Sequence, residues 1–280
     1  MPIPFRRKKA KVPVPARSTL GDEVIRVLAL SMHFGERRVL KDIDLGISRG
    51  EILVVMGPSG CGKTTLLKNV CGLLRPTIGT VFIGGRDIYL LPEDELNATR
   101  RRMGLSFQGG ALINSMSVLE NVMLPLLEST DLDEEIAEAA ALLKLEMVDM
   151  VQAWDLLPAG ISGGMRKRVA IARAMALDPE ILFFDEPSAG LDPVTAADLD
   201  NLILKLNQVF GMTMMVVTHD LDSAFTIADR MVMLERGEVL AAGTREEIRA
   251  TGDRRVERFI KRMMEEKGEG GGDFARYSEE

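Results

Sequence analysis

The sequence predicts an α/β fold: a mostly parallel sheet, an antiparallel β portion near the start, and a helical block inserted between strands. Three observations carry this. The short apolar runs Ile52–Met56, Ile181–Asp185 and Met212–Thr218 have the length and composition of strands buried on both faces. Helix-forming stretches separate them. The first run flows directly into a glycine-rich loop, GPSGCGKTT at Gly57–Thr65, and then into a helix.

In chain order, residues 1–18 are basic and proline-rich and read as a flexible arm. Val24–His33 and Val39–Ile47 read as strands joined through Phe34-Gly35-Glu36-Arg37. Glu51–Met56 is the first buried strand, and the helix after the loop is expected from Lys63 to about Leu74. Residues 109–168 read as helical. Within them Ser117-Val118-Leu119-Glu120 has capping-box spacing, and Asp131, Asp133, Glu134 and Glu135 favour a second helix starting just after them. A helix over Met165–Ala176 precedes the strands at Ile181 and Met212. Met231–Leu234 and Glu238–Ala241 flank a hairpin turn at Arg236-Gly237. Arg254–Lys267 reads as a last helix, and a short tail after GEGGGD carries Phe274, Arg276 and Tyr277. The expected units are the arm 1–18, a domain over 19–251 with its helical insertion at about 109–168, and a helix and tail over 252–280.

Composition narrows the function classes. With 280 residues and 46% apolar content, the chain can bury a large core. Its net charge of −7 argues against a general nucleic-acid binder. Cys61 and Cys71 sit in and just after the glycine-rich loop and suggest no disulfide framework, which fits a reducing compartment. No run has the ~20 apolar residues of a membrane span. Prolines, not an apolar core, follow Arg6, Arg7, Lys8, Lys9 and Lys11, so the start does not read as a secretory signal. That arm is either a solvated tail or a contact for anionic lipid headgroups.

The glycine-rich loop has the GxxxxGK[ST] pattern of a phosphate loop, in the strand–loop–helix context that such a loop needs. Gly57, Gly60 and Gly62 let backbone N–H groups wrap phosphate oxygens, and the following helix adds the positive end of its dipole. Pro58, Ser59, Cys61 and Thr65 complete the loop as candidate nucleotide contacts. Lys63 is expected to reach the β- and γ-phosphates of ATP, and the Thr64 hydroxyl to bind Mg²⁺. Four bulky apolar residues lead to Asp185, a candidate Mg²⁺ ligand, and Glu186, a candidate general base. Ser162 with Gly163 and Gly164 opens a helix, where Ser162 can cap and the glycines expose N–H groups to an anion. His219, at a strand end, is a candidate γ-phosphate contact, whereas His33 reads as structural. Phe34, ahead of the phosphate loop, is a candidate for stacking on adenine.

These segments, in this order, resemble the ABC transporter ATPase family over about residues 24–251. Walker A is Gly57–Thr65, the Q-loop glutamine matches Gln108, and the signature matches ISGGM at Ile161–Met165, close to LSGGQ. Walker B matches Ile181–Glu186, the D-loop Ala189–Asp192 and the switch histidine His219. The resemblance implies a P-loop NTPase core and ATP sandwiched between two copies of the chain. It implies that Gln108 senses Mg²⁺ and the attacking water, that Ser162 and Gly164 contact the γ-phosphate held by the other copy, and that Asp192 lies near that nucleotide. Met165 departs from the family's glutamine and cannot make its polar contacts. Phe107–Leu126, Leu157–Pro179 and the terminal FARY are similar to the ATPases of Mla/Mce-type phospholipid transporters. That similarity implies a peripheral subunit on the cytoplasmic face of a bacterial inner membrane. Its partners would be an Mla-E-type permease, an Mce-domain protein and a small STAS-domain subunit. A groove partly lined by Ala111, Leu112, Ile113, Met116 and Leu119 would receive the permease, unless these residues are ordinary core. Phe274–Tyr277 would pack on the neighbouring copy. Two other readings stand beside this one: the same motor with another cargo, such as an amino acid or a metal, and a soluble ABC ATPase of DNA repair or translation. The single cassette and the absence of sustained heptads weigh against the last.

Overall fold

The computed structural model of the chain describes residues 23–266. Strands β1 (Glu23–Phe34) and β2 (Arg37–Ser48) form the expected hairpin, with Phe34 opposite Arg37 across the turn. β3 (Ile52–Met56) leads into the phosphate loop and α1 (Lys63–Val70). β4 (Ile78–Ile83) and β5 (Arg86–Asp87) make a second hairpin through Gly84-Gly85, both with positive φ, 56° and 77°. Next come α2 (Glu93–Arg101) and β6 (Met103–Ser106). The expected helical stretch holds α3 (Val118–Ser129), α4 (Glu134–Met147) and the start of α5 (Gly163–Ala174). β7 (Ile181–Asp185), α6 (Pro193–Phe210), β8 (Thr213–Thr218) and α7 (Leu221–Ile227) follow. β9 (Arg230–Glu235), β10 (Glu238–Thr244), α8 (Arg245–Arg249) and α9 (Arg254–Glu266) complete the described chain.

The strands form two sheets. One is four-stranded and antiparallel, in the order β2-β1-β4-β5. The other is six-stranded, β10-β9-β3-β8-β7-β6, and parallel except for β10. Alternation along the central strands feeds two cores. Ile52, Val54 and Met56 of β3 join Leu182 and Phe184 of β7 in a core shared with α3–α7 and α9. Leu53, Val55 and Phe183 point the other way, into a core closed by α1 and the antiparallel sheet. Because both faces are covered, the central strands read as continuous apolar runs rather than alternating ones. The carboxyl ends of β3, β7 and β8 deliver the phosphate loop, Glu186 and His219 to one edge of the sheet. Ligands of open α/β sheets collect at such an edge.

Of the expected boundaries that move, two have a clear local cause. α1 ends at Val70 rather than near Leu74, because Gly72 adopts φ 74° and closes a Schellman motif. In it Leu73 N donates to Lys68 O (2.9 Å) and Gly72 N to Asn69 O (3.2 Å). α4 begins inside the acidic cluster, not after it: Asp133 is the N-cap, and Glu134 and Glu135 occupy the first turn, where negative charge meets the helix dipole. The capping box at Ser117 and Glu120 forms as expected, with both reciprocal hydrogen bonds present. The arm 1–18 and the tail Phe274–Tyr277 lie outside the described residues.

Candidate functional site

The phosphate loop holds its shape through close approach. A Cβ on Gly57 would lie 2.4 Å from Leu234 O and 2.6 Å from Cys61 Sγ, and a Cβ on Gly62 would lie 2.7 Å from Leu40 Cδ2. Gly60 and Gly62 both have positive φ, 76° and 110°. Gly60 has open space beside it, room that a phosphate group needs. The Lys63 ammonium is buried and donates to Gly57 O at 2.8 Å. Glu186 Oε1 lies 3.4 Å from the same ammonium.

A cavity of about 310 Å³ opens on this loop. Phe34, Arg37 and Val39 of the first hairpin form one wall; Gly60, Gly62 and the first turn of α1 form the other. The half-exposed Phe34 ring is thus available to a flat ligand group. Ser59 is exposed beside the cavity without lining it. Cys61 turns inward: it is buried in the core under the antiparallel sheet, and burial pushes its thiol pKa up. Any nucleotide contact from Cys61 must therefore come from its backbone. Pro58 contributes its carbonyl, 3.5 Å from the Lys63 ammonium.

Thr64 Oγ1 donates to Asp185 Oδ1 at 2.9 Å. Burial raises the Asp185 carboxyl above its ordinary range, partly opposed by that hydrogen bond, and Glu186 adds further negative charge. One hydroxyl beside one carboxylate fits Mg²⁺, which takes few protein ligands and completes its shell with phosphate oxygens and water. Among the described residues no cluster of three or more His, Cys, Asp or Glu could hold a metal.

Glu186 is buried and carries a left-handed backbone, φ 51°, held by its own N–H on Val217 O at 2.9 Å. Its Oε2 lies 2.8 Å from His219 Nδ1 and also accepts from His219 N at 3.2 Å. Burial pushes the Glu186 carboxyl up, but the His219 hydrogen bond and the Lys63 charge outweigh it, so the group is held below its ordinary range. The same hydrogen bond raises the His219 pKa. An ionised carboxylate only accepts, so Nδ1 carries the proton and Nε2 is left to face a ligand.

The other expected residues lie apart from this cluster. Ser162 caps α5, accepting from Met165 N at 3.2 Å, and is exposed. Gly164 is required by packing: a Cβ there would lie 2.5 Å from Thr195 Cγ2 of α6, and one on Gly163 would be 3.7 Å from Leu191 Cδ2. Asp192 caps α6, accepting from the N–H groups of Val194 and Thr195 and, at 2.6 Å, from the Thr195 hydroxyl. Signature and D-loop are thus packed on each other, and neither lines the Lys63 cavity. Met165 packs against the core. Gln108 is exposed; its backbone carbonyl accepts from Lys167, a residue the sequence reading did not single out. Of the expected groove residues Leu119 is core, whereas Ala111 and Ile113 are exposed. Among the described residues no helix is long and apolar enough to cross a membrane.

The family model described as ABC transporter matches residues 40–189. The Haemophilus influenzae protein named intermembrane phospholipid transport system ATP-binding protein MlaF is 40% identical over 86% of this chain and 92% of its own length. The Mycobacterium tuberculosis protein named probable ribonucleotide transport ATP-binding protein mkl is 40% identical over 88% of this chain and 69% of its own. Among solved structures, the dimeric ATP-binding cassette MJ0796 in a post-hydrolysis state with ADP and Pi aligns with a TM-score of 0.72. It is 36% identical and covers 79% of this chain and 98% of that one.

Proposed function

The chain belongs to the ABC transporter family of ATPases, and on that footing we propose that it is the ATP-hydrolysing motor of a bacterial phospholipid transporter. The observation that carries the cargo is its identity to the Haemophilus MlaF protein across nearly all of that protein's length. The Met165 signature and the Phe107–Leu126 segment favour the same subfamily.

The site geometry supports definite roles. Lys63 is poised to exchange the Glu186 carboxylate for the β- and γ-phosphates, leaving Glu186 free for water. Glu186 then accepts a proton as the water oxygen bonds to the γ-phosphorus. The bond to the bridging oxygen breaks, and ADP leaves with that electron pair. His219 holds Glu186 ionised through Nδ1 and offers Nε2 to the γ-phosphate. Thr64 and Asp185 would hold Mg²⁺, with Gln108 beside it; that ion would neutralise charge on the phosphates. Phe34 takes the adenine.

Ser162, Gly163 and Gly164 would face the γ-phosphate bound by a second copy, with Asp192 near that nucleotide; a solved relative that is itself a dimeric cassette supports the pairing of two copies. Closure on ATP and reopening after hydrolysis would drive an Mla-E-like permease at the cytoplasmic face of the inner membrane. An Mce-domain protein and a STAS-domain subunit complete the proposed assembly, and phospholipid would pass between the inner and outer membranes to maintain lipid asymmetry.

A second cargo has its own support, since the mycobacterial relative at equal identity is named for ribonucleotide transport. Gentle detergent purification of the chain from its native membrane, with mass spectrometry of proteins and lipids, separates the two. Co-purifying permease, Mce-domain protein and phospholipid support the lipid reading. A different permease without lipid keeps the ATPase and overturns the cargo.

A further inference from the structure

Lys167 sits in the first half of α5, four residues after the signature glycines begin, and its side chain is buried. A buried ammonium is tolerated only where its hydrogens find acceptors. Here they find two backbone carbonyls: that of Gln108 and, at 3.0 Å, that of Glu186. Residues 59 and 19 positions away in sequence are thereby tied to one atom.

Both acceptors belong to chain that needs holding. Glu186 has φ 51°, and the loop just after Gln108 turns through Gly110 (75°) and Ala111 (49°). Left-handed backbone at a non-glycine residue persists only when its surroundings over-determine it. On the Gln108 side, Arg173 of the same helix donates to Gly110 O at 2.7 Å and to Ala111 O at 2.8 Å. On the Glu186 side the grip comes from Val217 O and from Lys167. Packing alone would be met by an apolar side chain; a charge on two carbonyls strengthens both hydrogen bonds.

We infer that Lys167 is a positioning residue for ATP hydrolysis, fixing the main chain of Gln108 against that of Glu186 so that the water-contacting amide and the base arrive in register. The helix that supplies this link is the one capped by Ser162, so the registration is also referred to the signature. The inference rests on the proposed roles of Glu186 and Gln108.

The test uses full-length variants in the complex purified from native membrane, comparing Lys167→Met, Lys167→Arg and Glu186→Gln with the unaltered chain. Steady-state hydrolysis, binding of a fluorescent ATP analogue and thermal melting are measured. Lys167→Met is expected to lower kcat by about tenfold to a hundredfold, the scale of a misplacement of roughly 1 Å, with KM and analogue affinity within about threefold. Lys167→Arg, which keeps charge and donors, is expected to recover most of kcat. Unchanged kcat in Lys167→Met overturns the inference. So does a parallel loss of kcat, affinity and melting temperature that Arg does not rescue, since that marks a purely structural role. If Glu186→Gln is inactive while Lys167→Met is active, the reading of the site stands and only the role of Lys167 falls. If Glu186→Gln keeps full turnover, the base assignment falls and takes the inference with it.

Discussion

His219 Nδ1 lies 2.8 Å from Glu186 Oε2, while the other oxygen of that carboxylate lies 3.4 Å from the Lys63 ammonium. Glu186 is therefore held ionised from two sides, against the upward push that burial gives its carboxyl. Replacing His219 with Ala removes one side and the ring's contact with ligand together. Turnover should fall by about a hundredfold or more, on the scale of general acid–base contributions. Binding of ATP, which rests on the phosphate loop, should change by less than about fivefold. Equilibrium binding with a fluorescent analogue beside a phosphate-release assay checks this. An equal loss in both would place His219 in ground-state binding instead.

The Thr64–Asp185 pair makes a prediction about magnesium. Thr64→Val keeps the β-branched shape and deletes only the hydroxyl at 2.9 Å from Asp185 Oδ1. The Mg²⁺ concentration for half-maximal hydrolysis should rise by about tenfold, as one weak oxygen ligand is lost. EDTA should abolish hydrolysis in both proteins. A magnesium titration of initial rates decides it, and an unchanged midpoint would remove Thr64 from the ion's shell.

Much of this was legible in the sequence, for identifiable reasons. The central strands announce themselves because sheet burial on both faces leaves Ile52–Met56 and Ile181–Phe184 without a polar interruption. The phosphate loop is legible because its glycines answer to backbone approach, which is local. β4 and β5 were missed although Gly84-Gly85 is a strong hairpin signal; β5 has only two residues, and β4 opens on the exposed Ile78 and Gly79 rather than on an apolar run. α6 was missed although Asp192-Pro193 opens it and Gly211, with φ 63°, closes it. There Asp192 serves as the helix cap, accepting from Val194 N and Thr195 N, which a D-loop match does not announce. Lys167 was illegible for a different reason. Its partners are main-chain carbonyls distant in sequence, and no side-chain pattern encodes them.

Asn121 makes a prediction about the proposed permease-facing segment. It is fully buried in α3, accepts from Ile113 N at 2.8 Å, and donates to the carbonyls of Ile113, Met116 and Ser117. One amide thus clamps the turn ahead of α3. Asn121→Ala leaves those groups to water or unpaired and should cost about 1–3 kcal/mol. Denaturant unfolding should show the loss, and limited proteolysis should cut first between Ile113 and Ser117. Equal stability would mean that the turn holds itself.

Asp200 links stability to pH. It is buried in α6, receives a hydrogen bond from Ser223 Oγ at 2.7 Å, and leaves its Oδ1 without a hydrogen-bond partner. Burial, with Asp220 and Asp222 adding repulsion, raises its pKa from 3.8 to about 6 despite the Ser223 bond. The sign follows from proton uptake. Below pH 3.8 the group is protonated whether the chain is folded or not, and it exacts no penalty. Between that value and about 6 the unfolded chain loses the proton first, so folding becomes less favourable as pH rises. Above this window both states are ionised and the penalty is constant, at most about 3 kcal/mol for a shift of this size. Asp200→Asn has the same shape and no charge. It should therefore raise Tm over the unaltered chain at pH 8, and the gap should narrow as pH falls below about 6 and close only below about 3.8. Melting curves of both proteins across that range measure it. A gap that does not depend on pH would mean that folding leaves the pKa of Asp200 unshifted.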